Sequence, residues 1–176
     1  SHPHTIINVS IANATNFTKF IFTINSTNFT FYDLNMTHFY NFDNLTGIGD
    51  SNANATDLSR FGKNVTFVNG ANYTINGRYE KGVVFDGIDD FLQGGTSGTS
   101  TTSTTITAWV NTTGSRVDQW VFDDSSSSFS GNGLGLRIRP TNRLSFFHQD
   151  LTFAVNSSTL LTNNSWHFIA GVFNGT

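Results

Sequence analysis

The sequence predicts an all-β fold, namely an antiparallel two-sheet jelly-roll sandwich with an extra N-terminal β-arm. Three observations support this prediction. Short runs rich in β-branched and aromatic residues recur along the 176-residue chain. Asp-Gly and Asn-Gly pairs, which are typical of tight turns, follow several of these runs. Clean alternation at residues 105–110 places Ile106, Ala108 and Val110 on one face of a strand.

The first 34 residues are predicted to form an arm outside a domain that spans residues 35–176. Their polar start contains an apolar patch at residues 5–11, and strand candidates follow at residues 19–24 and 28–32. The aromatic content of this segment is too high for a solvated tether. We therefore expect an extended β-arm rather than a linker.

A hairpin at residues 82–92 is expected to organise the domain. A β-branched and aromatic run is followed by Asp86 and Gly87, a strong turn signal, and then by a second apolar run. Asp89 and Asp90 place two carboxylates at the edge of this turn.

The other strand candidates follow at short intervals and end at polar or glycine-containing turns. They lie at residues 38–43, 65–68, 119–122, 134–139, 144–147 and 166–173. Short strands at such spacing are typical of a sandwich or jelly roll. The predicted core positions are Phe85, Ile106, Ala108, Val110, Ile169 and Val172.

Composition argues against several classes of partner. Charged residues make up 12% of the chain and the net charge is -3, so there is no electrostatic reason to expect nucleic acid or an anionic membrane. No apolar run approaches the roughly 20 residues of a membrane span. The chain has no cysteine, which excludes disulfides and thiolate metal sites.

N-glycosylation sequons are the most frequent motif. They contain 14 of the 21 asparagines, whereas chance would give roughly five in a chain with this much Ser and Thr. An Asn/Thr-rich β-protein generates some sequons passively, but the surplus predicts covalent N-glycans and an extracellular or cell-surface location. The predicted acceptors are Asn8, Asn13, Asn16, Asn25, Asn28, Asn35, Asn44, Asn54, Asn64, Asn72, Asn111, Asn156, Asn163 and Asn174.

Three segments, at residues 85–91, 105–110 and 166–176, resemble signature strands of the laminin-G-like, concanavalin A-like jelly-roll family and come in that family's order. Residues 39–43 resemble its opening strand, and residues 57–62 resemble its Asp-Ser-Gly loop.

The resemblance covers about residues 36–176. Residues 1–34 lie outside it, and the family's closing strands after the final Asn-Gly-Thr turn are expected to be missing.

Domains of this family often carry one calcium ion at a loop rim, where oxygen ligands cluster. The resemblance implies a structural calcium site with ligands at Asp57, in the Asp-Ser-Gly-like loop, and at Asp89 or Asp90. Arg60 and Phe61 stand where the family usually has small residues, which weighs against the site. Asp86 is better explained by local hydrogen bonds to its own turn.

Catalysis is not expected. Some proteins of this broad fold are glucanases, and retaining glycosidases need two carboxylates about 5–5.5 Å apart. Glu80 is the only glutamate, and the acidic pairs Asp89/Asp90 and Asp123/Asp124 are sequence neighbours that would point to opposite faces of a strand. The chain also lacks the Gly-x-Ser-x-Gly nucleophile motif.

Two functions remain. The first is a non-enzymatic, heavily N-glycosylated extracellular structural protein that forms a surface filament, stalk or layer. In this hypothesis the subunits assemble by β-strand complementation: residues 5–11 and 19–24 fill a vacant sheet edge in their own subunit or in the next one. A head-to-tail contact of this kind yields an open homopolymer.

The second function is a carbohydrate- or protein-binding lectin-like adhesion module of a larger tandem surface protein. A sugar site usually combines aromatic platforms with polar loop residues, and Trp120, Phe129 and His148 are candidates for such a platform.

Overall fold

The computed structural model describes residues 19–24, 27–33, 35–95, 103–114, 117–124, 130–150 and 154–174. Thirteen strands and one short 3₁₀ turn make up the regular structure of these residues, and every strand pair is antiparallel. The predicted all-β class is therefore confirmed. The part of the chain that the structure describes contains no helix long and apolar enough to cross a membrane.

The strand predicted at residues 38–43 does not form, and the strands at residues 54–55, 72–74 and 155–160 were not predicted. Most of the observed strands follow the predicted segments, with some differences at their ends. In chain order the strands are β1 (Lys19–Ile24), β2 (Thr27–Asp33), β3 (Asn54–Ala55), β4 (Val65–Val68), β5 (Asn72–Thr74), β6 (Gly82–Val84), β7 (Phe91–Gln93), β8 (Thr104–Asn111), β9 (Gln119–Asp123), β10 (Ser130–Ile138), β11 (Arg143–Asp150), β12 (Val155–Leu160) and β13 (Trp166–Phe173).

Two sheets share the main hydrophobic core. One has the strand order β12-β11-β10-β9, and the other consists of β13 and β8, which we call the β8–β13 ribbon. Burial of side chains of this kind contributes about 1.5–3 kcal/mol each. The buried cluster contains Leu136, Ile138, Leu161 and Ile169, and it is flanked by Ile106, Ala108, Val110, Val121, Leu144 and Phe146.

A glycine allows the two sheets to approach closely. Gly171 lies on the buried face of β13, where a Cβ atom would come within 2.2 Å of the Phe146 ring. The missing side chain therefore makes room for an aromatic ring from β11.

Most of the predicted core positions are confirmed. Ile169 is buried, and the alternating apolar residues of β8 pack against the same cluster. The prediction is wrong for Val172 and Phe85, which are 64% and 46% exposed. Val172 lies three positions after Ile169, so the alternation of a strand turns it to the opposite face. Phe85 follows the end of β6 and enters a surface loop.

The predicted hairpin at residues 82–92 does not form. β6 pairs with β5, and β7 pairs with β4, so the two strands belong to different sheets. Between them, carboxylates bind the loop backbone: Asp86 N donates to Asp90 Oδ2 at 2.8 Å, and Ile88 N donates to Asp86 Oδ1 at 2.8 Å. These contacts shape a wider loop in place of a two-residue turn.

The N-terminal arm contains its own hairpin. β1 pairs with β2 from Lys19↔Asp33 to Ile24↔Thr27, and this pair is a separate two-stranded sheet among the described residues. One form of the complementation hypothesis expected residues 19–24 to fill a vacant edge of the sandwich within their own chain. Among the described residues they pair with β2 instead. Residues 5–11 lie outside the described residues.

Candidate functional site

Asp57 organises the loop that follows β3. It is 4% exposed, and its two carboxylate oxygens accept four hydrogen bonds. Oδ1 accepts from Phe39 N at 2.9 Å and from Ser59 N at 2.8 Å, while Oδ2 accepts from the Ser59 hydroxyl at 2.7 Å and from Lys63 N at 2.8 Å. Because a carboxylate offers about four lone-pair sites, this geometry does not support the predicted part of Asp57 in a calcium site.

The protonation of Asp57 reflects this environment. Burial by itself would raise the pKa of the carboxyl group, because it removes water from the charged form. The hydrogen bonds from Ser59, Phe39 and Lys63 favour the charged form more strongly, so the pKa of Asp57 lies below its ordinary value. Asp57 is therefore an ionised anchor of its loop.

Asp89 and Asp90 meet a third carboxylate in the loop between β6 and β7. One oxygen each of Asp86, Asp89 and Asp90 lies within 4.8 Å of the others. Asp86 and Asp89 are exposed, and Asp90 is half-buried. The structure thus brings together two of the three predicted metal ligands and adds Asp86, which sequence reasoning assigned only to its own turn.

The turn between β4 and β5 lies against this carboxylate cluster. Asn69 Nδ2 donates to the backbone oxygen of Asp89 at 3.0 Å, and a Cβ atom on Gly70 would come within 3.0 Å of Asp90 Oδ1. Asp90 Oδ1 is shielded from solvent and accepts no hydrogen bond from the described residues. A hard cation bound by oxygen ligands fits this donor set, because it would satisfy that buried oxygen.

The aromatic residues proposed as a sugar platform pack against different partners. The Trp120 ring meets Phe147 edge-on at 5.7 Å and lies under the Arg137 guanidinium at 5.1 Å. His148 stacks on Phe173 with 3.7 Å between ring centroids. Phe129 lies outside the described residues.

An exposed aromatic cluster lies instead on the outer face of the β8–β13 ribbon. Trp109 is 38% exposed, and its ring lies 5.5 Å from Phe168 and 5.7 Å from Tyr79. The Arg78 guanidinium lies 4.8 Å from the centre of the Trp109 ring. The sequence analysis did not predict this cluster. Trp109 alternates with Ile106, Ala108 and Val110 along the strand, so its side chain had to lie on the opposite, outward face.

Most sequon asparagines with a described side chain are accessible to solvent. Those that are exposed are Asn35, Asn64, Asn72, Asn111, Asn156, Asn163 and Asn174, while Asn44 and Asn54 are half-buried. Asn8, Asn13, Asn16 and Asn25 lie outside the described residues, and Asn28 lies in β2.

The two packed antiparallel sheets place this protein in the β-sandwich class. A family model described as the concanavalin A-like lectin/glucanases superfamily, of the laminin-G type, matches residues 85–176. Because the match covers just over half of the chain, this protein belongs to that superfamily. No curated protein and no solved structure matches the chain.

Proposed function

We propose that this chain is a non-enzymatic, N-glycosylated extracellular structural module that assembles by β-strand complementation. The observation that carries the proposal is the edge of β13. This eight-residue strand pairs with β8 along its whole length, and among the described residues no second strand pairs with its other side. A long open edge is a template for a strand from another chain.

The side chains beside this edge also favour association. Phe168 is 58% exposed and Val172 is 64% exposed, so the outer face of β13 carries apolar surface next to an open backbone edge. Burial of apolar surface is the main driving force of most protein association. An added strand would gain backbone hydrogen bonds and cover these side chains at the same time.

The N-terminal arm is the proposed donor of that strand. We divide the chain into an arm at residues 1–34 and a jelly-roll domain at residues 35–176. The β1–β2 hairpin is a two-stranded sheet, and such hairpins are marginally stable by themselves. Docking of the hairpin, or of residues 5–11, on the β13 edge of the next subunit would generate an open filament.

The exposed sequons support the extracellular part of the proposal. Seven sequon asparagines with described side chains face solvent, and N-glycans belong to surface loops and strands of exported proteins. Laminin-G-type domains are typically extracellular and generally non-catalytic, which agrees with this assignment.

A charged substitution on the proposed edge is expected to weaken assembly. Val172→Lys removes an apolar contact and places an ammonium group beside β13, a feature that protects natural edge strands. We expect the concentration needed for assembly to rise by about tenfold or more. Size-exclusion chromatography and electron microscopy of the full chain measure this change.

Val155→Lys is the matched control, because Val155 is 71% exposed on β12, the edge strand of the other sheet. It should leave assembly unchanged. Equal assembly by both variants and the parent chain contradicts the β13 interface. If Val172→Lys weakens assembly but deletion of residues 1–34 does not, β13 is still the acceptor edge and the arm is not the donor of the added strand.

A structural calcium site at Asp86, Asp89 and Asp90 is the second part of the proposal. The three carboxylates would hold the ion in the β6–β7 loop, and the ion would satisfy the buried oxygen of Asp90. Binding would therefore hold this loop in one conformation. Asp57 is not among its ligands. The ion's role is to stabilise the loop, and no reaction depends on it.

Calcium is therefore expected to raise the melting temperature of the parent chain. A ligand that binds only the folded state stabilises it by about 2.7 kcal/mol at 100 times its Kd. The increase should disappear in Asp90→Asn and persist in Asp123→Asn, which changes an exposed carboxylate at the end of β9. An unchanged melting temperature of the parent chain in calcium argues against the site.

A lectin-like adhesion module is the alternative function. The observation in its favour is the exposed cluster of Trp109, Phe168 and Tyr79 with Arg78, because aromatic faces stack on sugar rings and an arginine binds acidic groups. Screening against an array of glycans separates the two functions: specific binding without fibre formation favours the adhesion module.

A further inference from the structure

Asn111 lies at one end of the outer face of the β8–β13 ribbon, between two tryptophans. It is the last residue of β8 and is exposed. Trp166 lies directly opposite Asn111 in the antiparallel register, and Trp109 lies two positions earlier on the same strand. Residues opposite each other, and residues two apart on one strand, point to the same face of a sheet.

We infer that the first sugar of an N-glycan on Asn111 packs against Trp166 and Trp109 and covers this end of the ribbon. The inference rests on the proposed function, in that it requires the chain to be N-glycosylated. It adds a specific role for one glycan, which is to shield exposed aromatic surface of its own domain.

The spacing suits a covalently attached sugar ring. Cβ atoms of directly opposite residues lie about 4.5–5.5 Å apart. Two residues along a strand are separated by about 6.7 Å. Asn111 thus holds the sugar within contact distance of both indoles, and the apolar C–H face of a sugar ring matches the flat face of an aromatic ring.

The neighbours of Trp109 fix its ring before the sugar arrives. Arg78 lies over the ring, Tyr79 meets it edge-on, and Phe168 packs against it in a tilted arrangement. The part of Trp109 that stays exposed is therefore a preformed surface. A preformed surface costs little ordering entropy when a neighbouring group packs on it.

Hydrogen bonds hold the backbone after Asn111 in place, and the sequon lies at the surface. The Thr112 hydroxyl donates to Gln119 Oε1 at 2.7 Å and accepts from Gly114 N at 3.0 Å. Thr113, the third residue of the sequon, is exposed. In the modification, the amide nitrogen of Asn111 bonds to the anomeric carbon of a lipid-diphosphate-linked sugar, loses one proton and displaces the diphosphate.

Asn156 provides a comparison within the same domain. It is also an exposed sequon asparagine in a strand, but Ala154 lies two positions before it and Ser145 lies opposite it. A glycan on Asn156 has small residues at the two positions that tryptophans occupy around Asn111.

The experiment compares Thr113→Ala with Ser158→Ala in the full glycosylated chain. Each variant removes one sequon and keeps its asparagine. We expect Thr113→Ala to lower the melting temperature by about 2–5 °C and Ser158→Ala to leave it nearly unchanged. The decrease should be clearly smaller when Trp109→Thr is already present, because the sugar has then lost one of its two aromatic contacts.

A second measurement does not depend on the stability of any variant. In the parent chain, nuclear Overhauser cross-peaks between indole protons and sugar-ring protons should connect the Asn111 glycan to Trp166 and Trp109. Their absence from a chain with a glycan on Asn111 overturns the inference, as does an equal effect of the two sequon variants.

Glycopeptide mass spectrometry separates the inference from the function on which it rests. If Asn111 is unmodified while other sequons carry glycans, the inference fails and the glycoprotein assignment stands. If all sequon asparagines are unmodified in the native protein, both fail.

Discussion

Leu136→Ala is expected to lower the free energy of unfolding by about 2–5 kcal/mol. Leu136 is 0% exposed and belongs to the cluster that β10 and β13 share between the two sheets. Truncation removes buried methyl groups and leaves a cavity that the surrounding strands fill only in part. Denaturant unfolding of the parent chain and the variant, at concentrations where both are monomeric, measures the change.

Val172→Ala is the matched control for this prediction. Both positions are apolar strand residues, but Val172 is 64% exposed, so its truncation should change the free energy of unfolding by no more than about 0.5 kcal/mol. Similar losses in the two variants contradict the assignment of the core to the space between these sheets.

Asp57→Asn is expected to cost about 3 kcal/mol or more of folding free energy. The substitution keeps the shape of the side chain but replaces one acceptor oxygen with an amide group that donates. Two of the four donors around Asp57 then face another donor, and hydrogen bonds to charged groups contribute about 1.5–3 kcal/mol each. Denaturant unfolding near neutral pH measures this loss.

The loss should depend on pH in a defined direction. Because the pKa of Asp57 is lowered in the folded state, its stabilising contribution is fully present above the ordinary carboxyl pKa of 3.8. That contribution is lost as the pH falls through the lower folded-state pKa. The stability difference between the parent chain and Asp57→Asn should therefore shrink below about pH 4.

Glu80→Gln, at an exposed position, serves as the control for general acid effects and should stay near the parent chain at neutral pH. A difference between the parent chain and Asp57→Asn that is constant from neutral to acidic pH contradicts an ionised Asp57.

Local patterns predicted much of the fold because they report short-range constraints. The alternation at residues 105–110 identified β8 and its buried face, since a strand with one buried face must alternate. The apolar run at residues 166–173 identified β13, but it did not show which side chains face the core. Since residues two apart on a strand share a face, a buried Ile169 would have placed Gly171 on the inner face of the sheet and Val172 on the outer face.

Much of the candidate site depends on contacts that the linear pattern does not contain. Asp86 and Gly87 predicted a hairpin, yet β6 and β7 pair with β5 and β4 because longer-range strand pairing and the carboxylate hydrogen bonds decide the shape of the loop. Asp57 lies in a loop that resembles a metal-binding loop of the family. Donors from Phe39 and Lys63, 18 residues before it and six after it, nevertheless fill its oxygens.

The sequence by itself determined the all-β class, the position of most strands and the placement of the sequons, because each of these depends on composition or on neighbours along the chain. The superfamily followed from the resemblance of the segments at residues 85–91, 105–110 and 166–176 to its signature strands. Only the tertiary structure decided which strands pair, which carboxylates meet and which side chains gather around Trp109. The register of β8 against β13, which sets Asn111 beside Trp166, joins residues 55 positions apart. That distance lies beyond any local pattern, because the pairing is selected by burial of the whole sheet face.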